Sequence, residues 1–256
     1  MPMEPKLLTI NSFDIQGHYG IHADCKTASL IGCDIASVMT CFNSPHLGVF
    51  EHNLMITPEF FKEQLTLIFK TQQIDAIKIG LVPSVQFMQV LSDFLIGLPS
   101  FPPIVLDPVF LLEIKETKVD LNEYIAAYKR YFLHLVDLII PSVQEAEQLI
   151  GAPIDSFESV RHGAIMLQTM GTKAVLLKGA QMPSPESMDF YIEDDEYFEF
   201  PFTKIGKKPN DFSISLSTAI TCHLATGMTL HDAVVNGRDF IASHLKDAHE
   251  ADEMAL

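Results

Sequence analysis

KIGKKPNDFSISLSTAITCHLATG, Lys204–Gly227, is the stretch whose reading decides the fold. Its first part, Lys207-Lys208-Pro209-Asn210, is a polar loop, and from Asp211 onward the spacing predicts a helix. Phe212, Leu216, Ile220 and Leu224 recur every four positions and form one apolar stripe. Ser213, Ser215, Ser217, Thr218, Ala219 and Thr221 lie between them, small enough to let other backbone come close. Such a helix packs against a sheet rather than facing solvent. Asn210 or Asp211 is expected to cap its first turn. A buried helix whose amino end opens onto a polar loop presents free N–H groups and a positive dipole end, and so suits an anion.

Outward from this stretch, strand-length apolar runs alternate with helix-period segments. Strands are expected at 7–12, 35–41, 75–79, 104–106, 137–140 and 174–177. Helices are expected at 21–31, 58–71, 84–96, 122–135, 143–150 and 156–170, and a last one from Leu230 to about Lys246. The strands are continuously apolar, which predicts an α/β fold with a mostly parallel central sheet covered by helices on both faces. DFYIEDDEYFEF, 189–200, breaks the alternation and reads as a small β-hairpin around Glu193-Asp194-Asp195. The acidic tail DAHEADEMAL is expected to fray. Without repeats or linkers, residues 1–256 read as one domain.

Composition narrows the partners. The net charge is −16, from 33 acidic and 17 basic residues. That balance argues against nucleic acid and anionic lipid, yet Lys204, Lys207 and Lys208 form a local cluster adequate for a nucleotide. No apolar run is long enough for a membrane span, and MPMEPKLLTI lacks the layout of a secretion leader. Cys25, Cys33, Cys41 and Cys222 have no metal-binding spacing and read as reduced core thiols of a cytoplasmic protein. His18 and His22 stand four apart on one helix face but have no further ligands nearby for zinc.

In an open parallel sheet, ligands bind beyond the carboxyl ends of the strands. The residues expected there include Asp14, Asn43, Gly80-Leu81, Asp107-Pro108-Val109, Pro141-Ser142 with Glu145, and Lys178-Gly179. Each alone is commonly a cap or turn residue. Three carboxylates (Asp14, Asp107, Glu145) and a lysine converging on one edge would suit a metal-bound phosphate.

These segments resemble the hydroxymethylpyrimidine/phosphomethylpyrimidine kinases of thiamine biosynthesis, whose three-layer ribokinase-like fold is shared with pyridoxal kinases. LLTINSFDIQGHYGIHADCKT is similar to the family's opening strand, glycine loop and "GIQADLKT" helix, with Asp24, Lys26 and Thr27 in place. IDAIKIGL resembles "KIGM" with Leu81 for Met, PIVLDPVF resembles "VVLDPV", PSVQEAEQLIG resembles "PNLPEA", and KAVLLKGA resembles "VLVKGG". The resemblance implies ATP and Mg2+ as cofactors, a heterocyclic alcohol as substrate, and a homodimer. It places magnesium at Asp107 and Glu145, and nucleotide near Ser142, Lys178, Lys207, Lys208 and Asn210. Substrate falls near Ser12, Asp24, Phe42, Pro45, Leu81 and Val109, and Asp211 becomes the base that activates the hydroxyl.

The departures cluster around the anion end. Where the family has Gly-Thr-Gly before its Cys or Asp, this chain has Lys208-Pro209-Asn210 before Asp211. Glycine lets backbone approach a phosphate, and proline removes an N–H. One lost oxyanion donor costs about 3 kcal/mol of barrier. Tyr19 replaces a small residue and is expected to project toward the substrate pocket or fill it; Pro45 replaces a pyrimidine-contacting Gln; Ser142 replaces an Asn; and Glu113 falls where a Lys is usual. Three readings stand: a kinase of hydroxymethylpyrimidine or its phosphate, a catalytically impaired relative that binds a ligand or partner, and a pyridoxal kinase-like enzyme.

Overall fold

Apolar runs do become the strands of one sheet. The computed structural model describes residues 4–46, 49–110, 120–179, 186–203 and 209–254, with side chains for all but 43–46, 49–53, 186, 203, 209–215 and 245–254. The elements in order are β1 (Lys6–Asp14), α1 (Gly20–Ile31), β2 (Asp34–His46), β3 (Val49–Met55), α2 (Pro58–Thr71), β4 (Ala76–Ile79), α3 (Val85–Ile96), β5 (Ile104–Leu106) and α4 (Leu121–Tyr131). They continue with β6 (Leu138–Ile139), α5 (Val143–Ile150), α6 (Phe157–Thr169), β7 (Ala174–Leu177), β8 (Glu186–Glu193), β9 (Glu196–Thr203), α7 (Pro209–Ala225) and α8 (Leu230–Met254).

The strand order is β3-β2-β1-β4-β5-β6-β7-β8-β9. From β2 to β7 the neighbours are parallel, and β3, β8 and β9 extend the two sides antiparallel. Alternation along each strand sorts side chains to the two faces. Ile77, Ile79, Ile104, Leu106 and Ile139 join helices α2 to α6 in the larger core. Ala76, Val105, Leu138 and Ile140 join α7 and α8 in a second cluster. The stripe on α7 behaves as its spacing predicts, with Leu216, Ile220 and Leu224 packed in that second cluster. The side chain of Phe212 lies outside the described residues.

Four local readings need correction. β3 is a strand that the sequence does not announce: VFEHNLM is neither alternating nor apolar, and its order comes from pairing Cys41–His46 against Val49–Met55. α7 opens at Pro209, so Asn210 and Asp211 lie inside its first turn instead of capping it. Proline suits that first position because its missing N–H has no helical partner there. α4 ends at Tyr131, and the turn closed by Leu135 N–H to Phe132 O carries Phe132 and Leu133 into the core. The acidic tail, expected to fray, is helical as far as Met254, through good helix formers such as Ala, Glu and Met.

The hairpin is larger than its sequence suggests. β8 pairs with β7, Leu177 opposite Phe190, and so extends the main sheet. Gly20 marks the tightest approach at the start of α1: its φ is +59°, and a Cβ there would stand 2.1 Å from the carbonyl oxygen of Ser12.

Candidate active site

The carboxyl edge of the sheet gathers a small charged group. Asp107 follows β5 directly and its N–H donates to Ile79 O at 2.8 Å. Lys178 follows β7, where its N–H donates to Pro141 O and bridges it to Ser142. Lys178 Nζ stands 3.1 Å from Asp107 Oδ1, with both side chains almost wholly buried. Ser217 Oγ of α7 donates to the other oxygen, Asp107 Oδ2, at 2.7 Å. The small face of α7 therefore carries a polar contact to the sheet edge, and Asp107 keeps lone pairs for further partners.

Glu145 sits beside this pair but is turned back on its own helix. Ser142 N–H and Oγ donate to Glu145 Oε2 at 2.7 and 2.8 Å, and Glu145 N–H donates to Ser142 Oγ at 3.3 Å. This reciprocal cap opens α5. Burial pushes the Glu145 carboxyl above its ordinary 4.5, against the pull of the Lys178 ammonium, while the Asp107 charge adds to the rise. Ser142, expected beside the nucleotide, thus has its hydroxyl committed to the cap.

α7 crosses the sheet from this edge to the opposite one. Ser217 meets Asp107 at the end of β5, while Cys222 meets Cys33 just before β2. The backbone of Asp211 lies six residues before Ser217, about 9 Å further along the axis. The amino end of α7 is therefore on the Asp107–Lys178 side. Lys207 and Lys208 lie outside the described residues, as does Glu113, and so do the side chains of Pro45, Asn210 and Asp211.

Two acidic positions play other parts than expected. Asp14 accepts the N–H groups of Gln16, His18 and Tyr19 at 2.7 to 2.9 Å, so it shapes the loop before α1 instead of joining Asp107 and Glu145. Asp24 is fully buried and is held by four donors from three elements. Thr9 Oγ1 at 2.6 Å and Asn11 Nδ2 at 3.0 Å donate to Oδ2; Thr218 Oγ1 at 2.7 Å and Lys78 Nζ reach Oδ1. An interior carboxylate so occupied is a structural hub and not the pocket contact that resemblance implied. The clue in the sequence is Lys78, a charge inside the apolar strand DAIKIG, which needs a buried counter-charge.

The other residues expected near a substrate lie at the end of β1 and in its neighbours. Asn11 Oδ1 accepts the N–H groups of Ser12 at 2.9 Å and Leu81 at 3.0 Å, and Thr40 Oγ1 donates to Leu81 O at 2.9 Å. Ser12 and Leu81 are buried, Val109 is half-buried, and Phe42 is 37% exposed with its ring edge-on to Phe13. Tyr19 precedes α1 and its half-buried ring lies beside that of His18. Sequence reading missed one aromatic cluster: Phe110, Tyr124 and Tyr128 are in mutual ring contact, Phe132 packs on Tyr128, and burial holds both tyrosine hydroxyls well above their ordinary range. Tyr124, Tyr128 and Phe132 recur every four positions and so share one helix face, but nothing in the sequence joins Phe110 to them.

Among the described residues no group of three or more His, Cys, Asp or Glu is placed to hold a metal, the His18/His22 pair included. Two carboxylates still fit magnesium, which keeps several waters and takes one or two carboxylates together with substrate phosphates. A depression lined by Glu193, Asp194, Asp195, Glu196, Phe198 and His231 lies at the other edge of the sheet, since Glu193 pairs with Ala174 at the start of β7.

Residues 14–255 match the family described as phosphomethylpyrimidine kinase. The chain belongs to that family. It is 31% identical over 242 residues to the hydroxymethylpyrimidine/phosphomethylpyrimidine kinase of Aquifex aeolicus, covering 94% of each chain. The crystal structure of phosphomethylpyrimidine kinase from Clostridium difficile superposes with a TM-score of 0.80 at 25% identity, covering 94% of this chain and all of that one. Pyridoxal kinase from Staphylococcus aureus, in complex with AMP-PCP and pyridoxal, shares the fold with a TM-score of 0.84 at 22% identity, over 94% of this chain and 87% of that one. The chain spans about half the length of the curated bifunctional thiamine biosynthetic relatives it matches in Arabidopsis thaliana and Oryza sativa, 46% and 45% of them. Among the described residues no helix is long and apolar enough to cross a membrane.

Proposed function

We propose that this chain transfers a phosphoryl group from ATP to the hydroxymethyl group of a pyrimidine, or to its phosphate, as the names of its relatives indicate. The observation that carries the reading is the buried Lys178–Asp107–Ser217 contact at the carboxyl edge, on the side toward which α7 points its amino end. Phosphoryl transfer needs positioning and charge compensation more than covalent help. Lys178 supplies fixed positive charge beside the transferred group, and Asp107 and Glu145 would hold hydrated magnesium, which neutralises phosphate charge when bound. Asp211 accepts the proton of the substrate hydroxyl from the first turn of α7. Ser12, Leu81, Phe42 and Val109 bound the heterocycle, with Pro45 at the rim. Lys207, Lys208 and Asn210 are assigned to the nucleotide on this reading. The protein acts in the cytoplasm as a homodimer on this reading.

The assay is transfer of labelled phosphate from ATP to hydroxymethylpyrimidine, with pyridoxal as the competing acceptor, for the native chain and Asp211→Asn. Turnover on the pyrimidine that falls at least 100-fold in the variant supports the reading; equal rates remove Asp211 from its role. Preferred turnover of pyridoxal would make it a pyridoxal kinase-like enzyme. One feature favours an impaired relative: Pro209 at the first helical position has no N–H to offer the phosphoryl. Restoring Gly-Thr-Gly at 208–210 should then raise turnover by roughly 100-fold, the value of one oxyanion donor.

A further inference from the structure

Away from the active edge, two thiols that the chain separates by most of its length come together. Cys33 lies between the end of α1 and the start of β2, and Cys222 is in the last turns of α7. Both are free, and they share a small cluster with Leu7 and Ala28 at the amino edge of the sheet. Cys33 Sγ donates to Pro5 O at 3.3 Å and Asp34 O at 3.5 Å, and Cys222 packs with it in that cluster of four buried residues. Cys222 is completely buried, while Cys33 is 6% exposed at a turn beside the solvent-facing Asp34. We propose that Cys33 and Cys222 form a reversible disulfide under hydroperoxide stress, stapling α7 to the α1–β2 junction.

The pairing is chemically asymmetric. The neighbouring Cys222 side chain pulls the Cys33 thiol below its ordinary 9.0 in spite of burial, whereas Cys222 is pushed well above it, first by Cys33 and then by burial. Cys33 is thus the nucleophile and Cys222 the resolving thiol. Cys33 sulfur attacks one oxygen of hydrogen peroxide, breaking the O–O bond, so that Cys33 becomes a sulfenic acid and one water leaves. Cys222 sulfur then attacks the Cys33 sulfur; its proton and the sulfenic hydroxyl depart as a second water. In sum, two thiols lose two electrons and two protons, and one peroxide becomes two waters. A disulfide needs its sulfurs about 2 Å apart, so oxidation has to draw the end of α7 and the α1–β2 junction together.

Cys222 is 13 residues from Pro209, about 20 Å along α7, so the proposed staple lies clear of the catalytic groups. It does not depend on the substrate assigned above. The other two cysteines are internal controls: Cys41 is buried and is pushed up to about 12, chiefly by desolvation, and Cys25 is half-buried and also raised by burial.

The test is peptide mapping of the folded full chain after treatment with hydrogen peroxide, thiol quenching and non-reducing digestion. The expected result is one cross-linked peptide pair joining Cys33 to Cys222, about 2 Da lighter than the sum of the two and separated again by dithiothreitol. Cys222→Ser should abolish the link and leave Cys33 oxidised or trapped as a dimedone adduct. Should that variant fail to fold, the native map decides alone. Peroxide that leaves both thiols alkylatable overturns the proposal, as does oxidation of Cys33 without a link or a link through Cys25 or Cys41.

Discussion

Removing Lys78 or Asp24 separately should be far more damaging than removing both. Lys78 Nζ has Asp24 as its one hydrogen-bonding partner among the described residues, and its side chain is 1% exposed. Asp24 keeps Thr9, Asn11 and Thr218 as donors if the lysine is lost. Lys78→Met therefore leaves a buried carboxylate that is still partly compensated, at about 3 kcal/mol, the low end for breaking a buried pair. Asp24→Asn strands an ammonium and offers one amide oxygen to four donors, so its cost lies near the top of the range, about 5 kcal/mol. The double variant should cost less than either single, a coupling of several kcal/mol. Urea unfolding monitored by circular dichroism reads this directly. With a slope of about 3 kcal/mol/M, Lys78→Met moves the midpoint by about 1 M and Asp24→Asn by more. Single variants within about 1 kcal/mol of the native chain, or effects that simply add, would refute the assignment of this pair as a mutually dependent interior charge.

Other outcomes follow from the same geometry. Ser217→Ala takes a donor from a buried carboxylate and should cost about 1–3 kcal/mol in urea unfolding, with a larger proportional loss of phosphate transfer. Glu145 has a raised carboxyl, so the native chain holds its proton where the unfolded chain has released it. Its contribution to stability is full below the ordinary 4.5 and is lost as pH rises from there through the raised value; Glu145→Gln, which preserves the cap, should flatten that part of the unfolding midpoint's pH profile. Arg238 of α8 pairs with Asp189, which accepts Gly179 N–H at 2.9 Å, so Arg238→Met should destabilise the chain by about 3 kcal/mol in thermal or urea unfolding. Gly20→Ala sets a methyl against Ser12 O in left-handed backbone and should lower the urea midpoint by the equivalent of about 2 kcal/mol or more.

Sequence and structure agree where one physical signal dominates. Strands such as AIKI and AVLL are buried throughout, and an apolar run of that length between helical periods has few other fates. α2 starts and stops at its predicted ends because Thr57 accepts Phe60 N–H and Pro58 opens the first turn. β3 stays hidden because its order depends on antiparallel pairing with the end of β2 just before it rather than on its own pattern. The acidic residues divide in the same way. Asp107 follows a strand, and position alone places it beside Lys178. Asp14 closes β1, yet its carboxylate turns into the next loop, a choice set by three nearby N–H groups that spacing does not show. Asp24 is legible only together with Lys78, because each charge makes sense solely through the other.

The hub around Asp24 also bears on the order of folding. Its members are residues 9, 11, 24, 78 and 218, so the final donor comes from a helix residue 194 positions after the carboxylate it meets. On a ribosome, β1, α1 and β4 emerge well before α7, and until that helix docks the carboxylate has one donor fewer. Contacts of such long range consolidate late, so weakening Thr218 should speed unfolding and leave the refolding rate nearly unchanged.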